Sequence, residues 1–211
     1  MGRRMAGVLV IGALTAGGAA VFGQGGREAS PAGTASTEVR GKYTNAAGGE
    51  SFYQGGKWIE ISYGRPIKRG RDLWGSGASY GTKLNGGAPV WRAGANLSTQ
   101  LNTEVPLVIN AKTVPPGRYS LFIDLKANAW TLIVSSWKAS KEFPSREKDA
   151  LFGAFGYTPA KDLVRAPMMR ETLPHSVDQL TWEFLDMTDA GGTLAIEWDT
   201  MMACVPFKVG G

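Results

Sequence analysis

The chain has 211 residues, of which 43% are hydrophobic and 19% charged. That balance supports one packed domain and excludes wholesale disorder. The formal charge of +5 does not suggest a nucleic-acid partner: Arg3 and Arg4 supply two of the charges, and the rest are scattered apart from a modest cluster at Lys68, Arg69 and Arg71.

Residues 1–24 read as a signal peptide. Arg3 and Arg4 form a positive start, Ala6 to Phe22 is small or apolar, and Gly23–Gln24 offers a small-residue cut. The alternative, a retained anchor, has 17 residues to work with, the lower edge for crossing a bilayer. The expectation is therefore an exported protein, periplasmic or secreted, with no stable membrane span after cleavage. Residues 25–50 are rich in Gly, Ala, Ser and Thr and read as a flexible spacer. The folded domain is expected over 51–211.

From there the rhythm has period two. Trp58 to Tyr63, Arg118 to Leu125, Trp130 to Ser135, Gln179 to Leu185 and Thr193 to Asp199 alternate apolar with polar side chains. Alternation of this kind places one face of a strand in a core. Leu97 to Glu104 reads as a further strand. Val105 to Ile109, Leu163 to Met169 and Ala203 to Val209 are strand candidates that Pro106, Pro167 and Pro206 push toward edges or bends. Ala127–Asn128 and Asp189 to Gly192 look like hairpin turns. Ser145 to Phe152 is the one helical candidate, with Ser145 as N-cap. Together these predict a mostly-β, single antiparallel β-sandwich or barrel-like domain with at most one or two short helices. Trp130, Trp182 and Trp198 fall on core-facing positions.

Chemistry-bearing residues are sparse. The lone Cys204 forbids an internal disulfide, and the lone His175 follows Leu173–Pro174 in an expected loop. No spacing suggests a metal or a cofactor, and none is expected. The densest polar and aromatic run is Val90-Trp91-Arg92-Ala93-Gly94-Ala95-Asn96.

That run is one of several ordered segments. The others are Ile61 to Pro66, Lys68 to Gly75, Tyr80–Gly81, Pro115 to Phe122, Trp130 to Ile133, and Phe152 to Tyr157 followed by Lys161–Asp162. Together they resemble a family of bacterial exported proteins known as DUF2911, a domain of unknown function, over about Ile59 to Phe207. The resemblance implies an exported, strand-rich domain and brings no activity or catalytic residue. Leu97 stands where that family usually carries an acid, and Thr82 to Pro89 are additional here.

Tyr63, Arg65, Arg71, Trp91, Arg92 and Asn96 are the candidate ligand-binding residues. Arg offers paired donors to an anion, Asn both donors and an acceptor, and Trp a face to a ring or cation. The ligand would be small and anionic or carbohydrate-like. The same residues could equally fasten loops in a purely structural envelope protein. A hydrolase using Glu60 or Asp72 as general base is a further alternative. Glu60 and Glu183 otherwise read as solvated surface, and the oligomeric state is not legible.

Overall fold

A computed structural model describes residues 29–210. The expected leader lies outside the described residues. The strands are β1 (Ala32–Val39), β2 (Lys42–Asn45), β3 (Ser51–Gln54), β4 (Lys57–Gly64), β5 (Ala95–Thr103), β6 (Leu107–Ile109) and β7 (Lys112–Val114). They continue with β8 (Gly117–Lys126), β9 (Ala129–Ser135), β10 (Lys138–Ala139), β11 (Ala150–Leu151), β12 (Asp162–Thr188) and β13 (Gly191–Val209). One short α-helix, α1 (Thr82–Asn85), and 3-10 turns at Gly77–Ser79 and Pro159–Lys161 complete the described residues.

Nine strands form one antiparallel sheet in the order β1-β4-β5-β8-β9-β12-β13-β6-β7. β12 makes this sheet fold over itself. Its first part pairs with β9 and its second with β13. Register shifts lie between Thr172 and Val177, across Pro174, which has no ladder donor, and between Val177 and Thr181. Irregularities of this kind bend a strand. The bent half returns to the far edge of the first layer, where Leu180 donates to the Pro66 carbonyl (3.0 Å) and Lys68 to that of Asp178 (2.7 Å). The result is sandwich-like, not a closed barrel.

The inward faces meet in one core. Ile59, Ile61, Leu101, Leu121, Ile123, Leu132 and Val134 from one layer join Trp182, Ile196, Trp198 and Leu107 from the other. A second, smaller core sits on the outer face of β8 and β9. There Phe122 and Ile133 are covered by Val90, Leu151, Ala154 and Tyr157.

Two expectations are corrected. The described part of the stretch expected as a spacer contains β1, which pairs along its whole length with β4, and β2, whose hairpin partner β3 lies just beyond it. Gly33, Ala35, Thr37 and Val39 turn inward there, and their small side chains carry too little hydrophobic contrast to mark a strand. Ser145 to Phe152 is not a helix: it is an irregular loop that ends in β11, paired parallel to β10. So short a helix draws little stability of its own and depends on packing, and here Leu151 gains its buried place in the second core from an extended segment. The segments expected as four separate strands, 163–169, 179–185, 193–199 and 203–209, join into the two long strands β12 and β13. Pro167 and Pro206 lie where those strands exchange partners.

Candidate functional site

The Trp-Arg run is a corner. Trp91 exchanges backbone hydrogen bonds with Ile123, each 2.9 Å, and the chain then reverses through Ala93 and Asn96, both at positive φ (53° and 62°). Asn tolerates that conformation; Ala pays for it. The Ala93 carbonyl holds the corner, accepting from the Trp182 indole (2.9 Å) and the Thr99 hydroxyl (3.0 Å).

The corner sends adjacent side chains opposite ways. Trp91 is 1% exposed. It stacks on Trp198 at 6.1 Å and meets Trp74 edge-on at 6.3 Å. Most of its area is therefore packing, about 150–250 Å² for a buried aromatic. Arg92 turns to the surface, donates to the Asn96 carbonyl (2.6 Å) and lies over the Phe155 ring at 5.7 Å. Burial holds its pKa below the usual value for arginine, and no carboxylate is bonded to it among the described residues.

Arg71 reaches the same place from the other side. Lys68 to Arg71 is a tight turn, closed by the Arg71 N–H to the Lys68 carbonyl (3.1 Å), with Arg69 and Gly70 both at positive φ. Glycine suits the second of these positions because it has no Cβ to clash. The Arg71 guanidinium donates to the carbonyls of Lys68 (2.9 Å) and Ile67 (2.6 Å) and sits 5.9 Å from the Trp198 ring.

Arg71, Trp91, Arg92 and Asn96 thus line one cleft of about 550 Å³, together with Arg69, Lys83 and Trp198. Among the described residues four cations line it and no carboxylate does. Arg69 lay in the basic cluster visible in the sequence. Lys83 lies on α1, inside the additional stretch, and nothing local signals its position.

Tyr63 and Arg65 are committed elsewhere. The Tyr63 hydroxyl accepts from the Trp182 N–H (3.0 Å). Arg65 donates to the Leu180 carbonyl (3.2 Å) and the Thr181 hydroxyl (3.3 Å), fastening the returning half of β12 to the end of β4. Tyr63 and Asn96 also line a neighbouring groove of about 560 Å³.

The alternative general bases do not enter the basic cleft. Asp72 is exposed. The Gly75 N–H and Lys83 outweigh slight desolvation and hold its pKa below the usual carboxylate value. Glu60 accepts from Ser62 (3.3 Å) on the outer face of β4. Glu183 differs from the solvated residue expected: burial and neighbouring Glu197 raise its pKa.

A family model described as "Protein of unknown function (DUF2911)" matches residues 49–207. The chain belongs to this family. No curated protein and no solved structure matches it. The segments that carried the DUF2911 resemblance now have structural places. Trp74, Trp91 and Trp130 form an aromatic group in the core, with Trp74 4.8 Å from Trp130. Tyr119 donates to the Pro115 carbonyl (2.9 Å). Tyr157 donates to Asp162 (2.6 Å), which Arg165 also reaches (3.1 Å). Among the described residues no helix is long and apolar enough to cross a membrane.

Proposed function

We propose that this DUF2911 protein is an exported, non-enzymatic binding module that takes an anionic group in the cleft between Arg71 and Arg92. The leader-like start of the sequence supports export. The observation that carries the binding reading is Arg92 itself. It is a partly buried guanidinium with no carboxylate bonded to it among the described residues, on the wall of a cleft that also presents Arg69, Arg71 and Lys83. An isolated desolvated cation is costly. A bound carboxylate, phosphate or sulfate would supply the missing charge through paired N–H donors. Hydrolysis by Asp72 is less favoured, because a carboxyl held below its usual range is a poor base at neutral pH.

The test is thermal unfolding of the purified chain in citrate, phosphate and sulfate, against sodium chloride at matched ionic strength. Native-state binding raises the midpoint by mass action, a hundredfold excess over Kd adding about 2.7 kcal/mol of stability. The midpoint should rise with these anions, and Arg92→Gln should abolish the rise. Equal shifts in chloride, or in the Arg92→Gln variant, would refute the reading.

A structural role fits the other half of the candidate set. Tyr63 and Arg65 spend their polar groups on the returning half of β12, so their substitution is expected to unfold the domain rather than to alter binding.

A further inference from the structure

A polar rung crosses the outer face of the sheet. Thr34 is paired with Ser62, Ser62 with Gln100, Gln100 with Ser120, and Ser120 with Ser135. The last two are covered. Ser120 donates to the Trp137 carbonyl (2.7 Å) and Ser135 to that of Lys161 (3.0 Å), so the segment over β8 and β9 satisfies them. Thr34, Ser62 and Gln100 continue the rung beyond that cover and open into the groove of about 560 Å³.

This groove and the basic cleft share a wall: Ala29, Ser30, Ala95 and Asn96 line both. Asn96 fixes that wall by donating from Nδ2 to the Ser30 carbonyl (3.0 Å). A charged compartment therefore adjoins a groove whose lining is largely apolar around the hydroxyl and amide groups of Thr34, Ser62 and Gln100 and holds one further cation, Lys141; among the described residues no carboxylate lines either. The floor of the groove includes β4, which is paired on both edges, to β1 and to β5. β4 has no free backbone with which to add a peptide strand; the edge strand β1 does, and the acidic tripeptide below tests that alternative. What the groove offers is hydroxyls and amides set in an apolar lining, suited to the hydroxyl edges and apolar faces of sugar rings.

We infer that the two compartments form one extended site for an acidic oligosaccharide, one carboxylate or sulfate at Arg92 and Arg71 and the adjoining sugar units laid along Thr34, Ser62 and Gln100, beside Lys141 in the same lining. This rests on the anion-binding reading and adds to it the class and length of the ligand. A single uronate fills the charged compartment alone, whereas a trimer reaches the rung.

Calorimetric titration of the purified chain with galacturonate, trigalacturonate, an acidic tripeptide and decanoate tests it. Trigalacturonate should bind at least about tenfold more tightly than galacturonate. Thr34→Trp, on the exposed face of the edge strand β1, should remove that gain and leave galacturonate binding unchanged. Ser62→Trp provides a second block from β4. Arg92→Gln should weaken both sugars. If galacturonate binds and the trimer gains nothing, or the gain survives both tryptophans, the extended site is refuted and the anion cleft stands. A gain for the tripeptide or decanoate without one for the trimer also refutes it. If neither sugar binds while citrate does, the saccharide class fails alone. If no anion binds, the underlying reading fails with it.

Discussion

Gly153 lies directly against the guanidinium of Arg92: a Cβ at position 153 would meet Nη1 at 2.7 Å and Cζ at 2.8 Å. Gly153 has φ of +60°, where a side chain is strained by about 1–2 kcal/mol. Two separate demands thus fall on one glycine. Gly153→Ala should lower stability by about that amount in denaturant titration. It should also push Arg92 out of its place and weaken citrate binding. Loss of stability with unchanged affinity would mean that the position of Arg92 does not matter to the cleft.

Trp91 and Arg92 are neighbours in sequence with opposite duties, so their substitutions should separate. Trp91→Ala removes a ring packed against Trp74 and Trp198 and should cost about 3–5 kcal/mol. Arg92→Gln relieves a desolvated charge, so the ligand-free midpoint should hold steady or rise. Midpoints measured with and without citrate distinguish the two. If Arg92→Gln lowers the ligand-free midpoint as far as Trp91→Ala does, Arg92 is a structural fastener.

The alternation over Tyr119–Leu125 and Leu194–Trp198 was enough to place both segments as strands with buried faces, because large apolar and polar groups take strict turns there. β1 was illegible for the opposite reason: Ala35 and Thr37 are too small to contrast with Thr34 and Ser36. The continuity of β12 through Pro174 was hidden because proline argues locally for an end, while pairing to β9 and then β13 is a long-range effect. The site was half legible. A Trp-Arg-Asn run announces a packed polar corner, but the sequence cannot say that Trp91 turns inward while Arg92 turns out. Nor can it say that Lys83 comes to the same cleft.

Glu183 and Glu197 are diagonal neighbours on one face of the β12–β13 ladder, since Glu183 opposes Ala195 and Glu197 opposes Thr181. Desolvation first, and then the charge and hydrogen bonding of Glu197, raise the Glu183 pKa. A carboxyl that binds its proton more tightly in the folded state stabilises the fold at low pH. That contribution is complete below the unfolded value, about 4.3, and is lost as pH rises through the higher folded value. Glu183→Gln should therefore raise the midpoint at pH 7.5 and leave it unchanged near pH 4. A variant whose gain is the same at both pH values would show that the pair is not the cause.

Asp199 joins three elements. Its Oδ1 accepts from Lys68, next to the turn that carries Arg69 and Arg71, and from Ser176 (2.9 Å) in the irregular part of β12, while Asp199 itself belongs to β13. Burial alone would raise its carboxyl, but the Lys68 and Ser176 donors outweigh it and hold the pKa below the ordinary value. The stabilisation is thus present above the unfolded value, about 3.9, and disappears as pH falls through the lower folded one. Asp199→Asn isolates this charge, since Asn also accepts the positive φ of 56° found there. At pH 7 the variant should lose about 0.5–1 kcal/mol, the range for a partly solvated pair. The deficit should close in strong acid. Because the freed turn carries two of the cleft's cations, citrate affinity should fall as well, and unchanged affinity would show that Lys68 is not needed to position them.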